Sequence, residues 1–290
     1  MSEAVRPRRS VLYVPASSGR ALEKARTLAA DALIVDLEDA VAPAAKDAAR
    51  AAALAAARDG GLAPRELAIR VNGLATPWGA ADLAAVAGAG VDAVVLPKVE
   101  SPGEIHAAEA TLAAAGAPPA LALWAMIETP RGVLAVDAIA GASPRLVCLV
   151  AGTSDLTKDL RARPTPGRAE VLPALGLLLL AARAHGLAAL DGVHLDLADD
   201  AGFEAACRQG RDLGFDGKTL VHPRTIEVAN RIFAPDAAEV AAARRVIAAH
   251  AEAVAAGSGI AVVDGRVVEG LHVEAARRVV ALAEAIAARG

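Results

Sequence analysis

The sequence predicts an α/β protein, a (β/α)8 TIM barrel with a C-terminal helical and hairpin extension. Three observations lead there. Ala30-Asp31-Ala32-Leu33-Ile34-Val35-Asp36, Gly90-Val91-Asp92-Ala93-Val94-Val95-Leu96-Pro97 and Gly214-Phe215-Asp216-Gly217-Lys218-Thr219-Leu220-Val221 repeat one grammar: a helix end, a short polar turn, then a buried strand. Short apolar runs of this kind suit strands buried on both faces, and those of the repeats stop at polar residues: Glu38-Asp39, Lys98 and His222. The 290 residues also exceed by a helical tail the roughly 250 of a typical barrel.

Taken in order, the strands are expected at 11–15, 33–37, 67–71, 93–98, 121–128, 146–152, 187–193 and 218–222. Alanine-rich stretches at 44–58, 102–115 and 171–185 read as helices. Gly88, Gly116 and Gly186 fall where helix C-caps are needed. A doubly wound open sheet is the competing architecture, because periodicity does not prove closure. The barrel domain is expected over 1–232 and the extension over 233–290. The extension reads as a helix at 236–256, a hairpin at 260–268 around Asp264-Gly265, and a helix at 272–289, packing on the barrel or on a neighbouring subunit. The longest polar connection, 155–168, carries Pro164, Pro166 and Gly167. It follows a strand, which makes it a candidate lid on the catalytic face.

Composition narrows the function. Hydrophobic residues make up 55% and aromatics only 2%, so the core is built from Val, Leu, Ile and Ala. A net charge of −4 with both signs spread along the chain lacks the basic footprint of a nucleic-acid binder, and a polyanionic substrate would need local basic groups. Cys148 and Cys207 have neither metal-ligand nor disulfide-framework spacing. The apolar run 177–182 is too short for a bilayer, and no apolar segment follows the polar, basic residues 1–9. A cytoplasmic protein with no membrane partner is the expectation.

The acidic residues at strand ends carry the chemistry. Glu38 and Asp39 end the second strand, Glu128 ends the fifth, and Asp155 follows the sixth across Gly152-Thr153-Ser154. A barrel brings all four to one mouth, where they repel each other unless a cation intervenes. Hard oxygen donors without His or Cys favour Mg²⁺ or Mn²⁺ over Zn²⁺. Helix capping is the competing role: Asp155 for a helix at 156–160, and Glu128-Thr129-Pro130 as a helix start. Arg70, flanked by Ile69 and Val71, points into the barrel. Its fork suits a substrate carboxylate or an ion pair with Glu38 or Asp39, and both can hold. Lys98 is expected as an electrostatic partner of the acids. His222 is either an acid/base group or a hydrogen-bonded turn residue. Dinucleotide and nucleophile-elbow motifs are absent.

Seven motifs in order resemble the HpcH/HpaI aldolase and citrate lyase β-subunit-like family of CoA ester lyases. They are Arg8-Arg9-Ser10-Val11-Leu12-Tyr13-Val14-Pro15; Val35-Asp36-Leu37-Glu38-Asp39-Ala40-Val41-Ala42-Pro43 with Lys46 and Arg50; Arg70-Val71-Asn72-Gly73; Leu96-Pro97-Lys98; Ile127-Glu128-Thr129-Pro130; Gly152-Thr153-Ser154-Asp155-Leu156; and 214–223. The resemblance spans nearly the whole chain. It implies a magnesium-bearing, commonly trimeric barrel that cleaves or forms a short 3-hydroxyacyl-CoA ester, such as malyl-, citramalyl- or citryl-CoA. The products of cleavage are an acyl-CoA and a 2-keto acid. By motif, Glu128 and Asp155 match the metal ligands and Arg70 the substrate-holding arginine. Glu38 and Asp39 match the acidic pair around metal-bound water, and Gly152 and Thr153 belong to the substrate site. Arg20 and Lys24 are candidates for the coenzyme A phosphates. Glu269 stands where relatives place an aspartate that reaches a neighbouring subunit's thioester, and Ala16 stands where relatives often have glycine. Two other readings stay open: a CoA-independent hydroxy-acid aldolase, and a non-autonomous β subunit of a citrate-lyase-like complex.

Overall fold

The structure, a computed structural model, describes residues 5–289. The expected domain limits at 1 and 290, and the start of the polar segment 1–9, lie outside the described residues. In chain order the barrel elements are β1 (Ser10–Pro15), α1 (Gly19–Ala25), β2 (Ala32–Asp36), α2 (Lys46–Asp59), β3 (Glu66–Arg70), α3 (Gly79–Val86), β4 (Ala93–Leu96), α4 (Pro102–Ala114), β5 (Ala122–Ile127), α5 (Pro130–Leu134), α6 (Val136–Ala140), β6 (Leu146–Ala151), α7 (Thr153–Asp159), α8 (Leu172–Ala184), β7 (Ala188–Asp191), α9 (Asp200–Leu213) and β8 (Gly217–Leu220), followed by α10 (Ile226–Phe233). Among the described residues the eight strands are parallel and closed, β8 pairing back onto β1 through Ser10–Lys218, Val11–Thr219 and Leu12–Leu220. Closure excludes the open sheet.

Alternation along the strands fills the interior. Val11, Ala32, Ile34, Ala68, Val95, Trp124, Met126 and Val150 belong to one buried cluster. Small residues on β2, β3 and β4 leave room for Trp124, the largest fully buried side chain. At the strand N-termini the Arg8 guanidinium lies 5.1 Å over the Trp124 ring and pairs with Glu66 at 2.7 Å, and Arg9 pairs with Asp31 at 2.8 Å. Fully buried Asp191, the last residue of β7, and Lys218, near the start of β8, pair at 2.9 Å. Arg168 joins them at 2.7 Å and also donates to Gln209 Oε1.

Each expected strand end lies within two residues of its place; β1 ends at Pro15 as expected, and the other seven stop one or two residues short of the expected C-terminal end. The expected ends at Lys98, Glu128, Gly152 and His222 lie one or two residues beyond the strands, at the mouth; the Gly152 N–H still donates to the Ile127 carbonyl, and the Val99 N–H to that of Met126. Gly116 and Gly186 take the left-handed conformation expected of caps. Gly88 does not: the C-cap of α3 is Ala87, and Gly90 takes the positive φ instead. The expected lid segment, 155–168, is partly helical and anchored at its far end. Its first five residues belong to α7, and its last, Arg168, is held by Asp191.

A second compact unit begins at Arg231. It contains α11 (Ala237–Ala255), β9 (Ala261–Val263), β10 (Arg266–Val268) and α12 (Gly270–Ala287). Asp236 and Glu239 form a reciprocal capping box on α11. The hairpin turns through Asp264 and Gly265, both at positive φ. Ala261, Val268 and Val273 form a buried cluster in this unit, packed against Val246 and Ile247.

Barrel closure generates a test. A Cβ on Gly217 would lie 1.8 Å from the Arg8 carbonyl oxygen, which is backbone and has little room to yield. Gly217→Ala should lower stability by about 3 kcal/mol or more in urea denaturation. Gly176→Ala, in α8 with open space around it, should leave stability unchanged or raise it by about 0.5–1 kcal/mol.

Candidate active site

The alternation that places Ile34, Ala68 and Met126 in the barrel interior continues one step up each strand, to Asp36, Arg70 and Glu128. All three are buried, at 1%, 7% and 2% exposure. Asp36 and Arg70 are register partners on β2 and β3, and their side chains meet as a fork. Arg70 Nε donates to Asp36 Oδ1 and Nη2 to Oδ2, each at 2.7 Å. The guanidinium stacks 4.8 Å from the Tyr13 ring. Asp36 also accepts from the backbone N–H groups of Glu38 and Ala40, which fixes the turn that follows β2. Burial alone would raise the Asp36 pKa, but the hydrogen bond and charge of Arg70 hold it below the ordinary value.

The expected ion pairs of Arg70 with Glu38 and Asp39 are present, through Nη1 at 3.0 Å from Glu38 Oε2 and 3.7 Å from Asp39 Oδ2. The partner not expected is Asp36, which fills the fork of Nε and Nη2. Nη1 also donates to Met126 Sδ at 3.6 Å. The contact with Glu38 lacks hydrogen-bond geometry, so that buried oxygen has no hydrogen-bond partner. Asp36 was missed in the sequence. The signal available for it was the in-register placement of an Asp and an Arg at the ends of adjacent strands.

Lys98 follows β4 and donates its backbone N–H to Glu128 Oε1 at 2.8 Å. Its ammonium lies 2.5 Å from Glu38 Oε1, 3.6 Å from Asp39 Oδ1 and 3.9 Å from Asp155 Oδ2. Lys46, buried under the Trp78 ring, donates to the carbonyls of Leu37 and Glu38 and so holds the Glu38 backbone. Glu128 sits against Gly152, where a Cβ would come within 2.3 Å of the Glu128 Cβ. Glycine is therefore required for the two strand ends to approach.

Burial, then the nearby charge of Glu38, pushes the Glu128 carboxyl up to about 7. Burial likewise raises Glu38, against the pull of Arg70 and Lys98. Asp155, 25% exposed, sits in the first turn of α7 and pairs with Lys158 at 2.8 Å. Asp155 does not take the expected capping role, whereas the helix start expected at Glu128-Thr129-Pro130 is observed. The cap of α7 is Gly152, and Thr129 caps α5 by accepting from the Gly132 N–H. His222 takes the turn role, its Nδ1 accepting from the Arg224 N–H.

A cleft of about 410 Å³ gathers these groups. Asp36, Asp39, Arg70, Glu128, Gly152, Thr153 and Asp155 line it, with an apolar side made by Pro15, Val193, Leu195 and Val221 that the sequence reading did not assign. Glu38 is tied to the same wall by Arg70 and Lys98. Arg20 and Lys24 are exposed on α1 and do not line the cleft. Glu269 belongs to the C-terminal unit, where its N–H donates to His272 Nδ1 at 3.1 Å.

The donors fit a hard divalent cation. They are carboxylate oxygens; the Glu128 carboxyl is raised by burial and by the nearby charge of Glu38, and the adjacent Glu38 keeps one buried oxygen without a hydrogen-bond partner. No group of three His, Cys, Asp or Glu side chains forms a ready metal cage among the described residues. The protein would supply two carboxylates, and substrate and water the rest, as magnesium sites commonly arrange.

A closed parallel barrel with its charged side chains gathered at the strand C-termini defines a barrel enzyme whose chemistry sits at that mouth. The chain belongs to the HpcH/HpaI aldolase/citrate lyase family, whose profile matches residues 9–223. It is 50% identical over 288 residues to a (3S)-malyl-CoA thioesterase of Cereibacter sphaeroides strain KD131, covering 99% of each chain. It is 36% identical to the citrate lyase β subunit of Escherichia coli K12 over 284 residues, 96% of this chain and 94% of that one. Among solved structures, protein CitE of Mycobacterium tuberculosis in complex with magnesium, acetoacetate and coenzyme A superposes with a TM-score of 0.77. The identity is 33%, over 97% of this chain and 99% of the other.

The electrostatics of Glu128 can be tested without substrate. A carboxyl whose folded pKa is about 7 instead of 4.5 contributes stability that is intact below 4.5 and lost as pH rises through 7. In EDTA at about pH 8, Glu128→Gln should therefore be more stable than the parent, by up to about 3 kcal/mol at about 1.4 kcal/mol per pH unit. The gain should disappear near about pH 4, where both states are protonated. Thermal unfolding at the two pH values measures it.

Proposed function

We propose that this protein is a magnesium-dependent carbon–carbon lyase. Its substrate is a short 3-hydroxyacyl-CoA ester of the malyl-CoA class, with Mn²⁺ an acceptable substitute metal. The observation that carries this is the juxtaposition, in one cleft, of Glu128 and Asp155 with the fixed guanidinium of Arg70. The C. sphaeroides relatives supply the acyl class, and the M. tuberculosis complex supplies the metal and the coenzyme.

Glu128 and Asp155 would hold the metal, which when bound supplies Lewis-acid polarisation of the substrate oxygens. Arg70 presents Nη1 to the substrate carboxylate, while Asp36 keeps the guanidinium plane from turning. Glu38, buried and raised in pKa, accepts the proton of the 3-hydroxyl with Asp39 beside it. The bond between C2 and C3 then breaks. Its electron pair passes into the thioester as an enolate, and the former hydroxyl carbon becomes the carbonyl of the 2-keto acid. The enolate takes up a proton at C2. Gly152 and Thr153, at the start of α7, form the floor beneath the substrate. The apolar side of Pro15, Val193, Leu195 and Val221 keeps water from the enolate.

Further parts belong to the same proposal: a cytoplasmic homotrimer, Arg20 and Lys24 meeting coenzyme A phosphates, and Glu269 of a neighbouring subunit giving the enolate its proton. No helix among the described residues is long and apolar enough to cross a membrane. Hydrolysis of the thioester is the second reading, favoured by the name of the relatives at 50% identity.

One assay separates the readings. Purified protein is incubated with malyl-, citramalyl- and citryl-CoA, with Mg²⁺ or EDTA. Metal-dependent release of a keto acid and an acyl-CoA is the expected result. Release of the free hydroxy acid and free CoA would establish hydrolysis instead. Turnover of free hydroxy acids alone would point to a CoA-independent aldolase. Silence, with the protein folded, would favour a subunit that needs partner chains, as the likeness to citrate lyase β allows. Glu128→Ala and Asp155→Ala should each abolish the metal-dependent activity. Arg70→Lys should lose at least about 100-fold in kcat/KM, because a point charge restores neither the Asp36 fork nor the orientation of the substrate.

A further inference from the structure

Lys98 takes no part in the steps above, yet it touches every acid of the mouth except Asp36. It has a φ of +50°, a left-handed conformation that a long L side chain keeps only where its surroundings over-determine it. From that backbone its N–H reaches Glu128 and its ammonium reaches Glu38, Asp39 and Asp155. The two cations of the site differ in freedom. Arg70 has a side chain only 9% exposed and is clamped by Asp36, whereas Lys98 is 40% exposed on a flexible stem open to solvent.

We propose that the Lys98 ammonium is a displaceable counter-cation, neutralising the acid cluster in the metal-free protein and competing with the divalent metal for it. The inference rests on the metal reading of the preceding subsection. Without Lys98, Glu38, Asp39, Glu128 and Asp155 would face one another with Arg70, itself largely neutralised by Asp36, and the exposed Lys158 on Asp155 as the nearby cations. A single positive charge at 2.5–3.9 Å from three of them relieves that repulsion. The same charge opposes entry of a second cation. It therefore sets a ceiling on metal affinity, so that the anionic groups of the substrate are needed to tip the balance toward the metal.

The test uses the full chain and no CoA ester. Mn²⁺ binding is followed by electron paramagnetic resonance, and thermal unfolding is compared in EDTA and in excess Mg²⁺. Lys98→Met should bind Mn²⁺ about tenfold more tightly than the parent. It should melt below the parent in EDTA, and the gap should close in Mg²⁺. Affinity unchanged or weakened, with the same thermal deficit in both solutions, would make Lys98 a structural residue and overturn the proposal. Lys158, 65% exposed and paired with Asp155 and Asp159, provides the control. An equal gain in Lys158→Met would assign the effect to general surface charge and also overturn it. If Lys98→Met does not fold, Lys98→Gly keeps the N–H and the positive φ while removing the ammonium. Failure of both the parent and Lys98→Met to take up Mn²⁺ overturns the metal reading itself. Parent binding without a gain in the variant overturns only the role given to Lys98.

Discussion

The mouth of the barrel is organised around the fork between Arg70 and Asp36. Closing eight parallel strands forces their C-terminal ends together, and this sequence puts acids on those ends. The barrel can hold them because one acid is given wholly to one guanidinium, at 2.7 Å through both pairs of atoms. That pair anchors the turn after β2 through the N–H groups of Glu38 and Ala40. It also fixes the direction of the remaining Nη1. The positions of Glu38 and Asp39, and through Lys98 that of Glu128, follow from it.

Two buried acids of the barrel show how differently the same cost can be met. Asp191 on β7 is fully buried; burial alone would raise its pKa, yet Lys218 and Arg168 hold it low. Its charge is compensated by the chain itself, and it locks the end of the segment that follows α7. Glu128 on β5 is just as buried but receives only one backbone N–H within hydrogen-bond reach, and its carboxyl is raised. An acid left uncompensated beside a cleft is expected of a site that gives up stability to bind something charged.

Much of the barrel was legible in the sequence because its strands are apolar, short and bounded by turns. The eight runs need no partner to be recognised, and in seven of them the expected C-terminal end falls one or two residues past the strand, where the chain runs on to the mouth. The acids at the mouth were legible as a group because closure follows from counting strands. What could not be read was pairing across strands. The Asp36–Arg70 fork depends on the register between β2 and β3, and the apolar side of the cleft depends on how the chain after β7 folds back. The left-handed backbone of Lys98 left no trace in its residue type. The role of Arg168 was hidden for a similar reason, since a charged residue in a polar loop looks solvated until Asp191 is seen below it.

Gly152 has a consequence for how this barrel can change over generations. Its missing side chain is filled by Glu128, so any Cβ there requires the glutamate to retreat, and a retreating glutamate no longer faces the cleft. Gly192, one strand further on, is pressed in the same way against Thr153 and the carbonyl of Ala151. The two positions behave as a ratchet. Neither can be traded for a larger residue before its neighbour shrinks, and the shrinking step forfeits the acid or the helix start on which the site stands. Diversification in such a lineage is channelled toward the apolar side of the cleft, where Val193, Leu195 and Val221 can be exchanged one at a time.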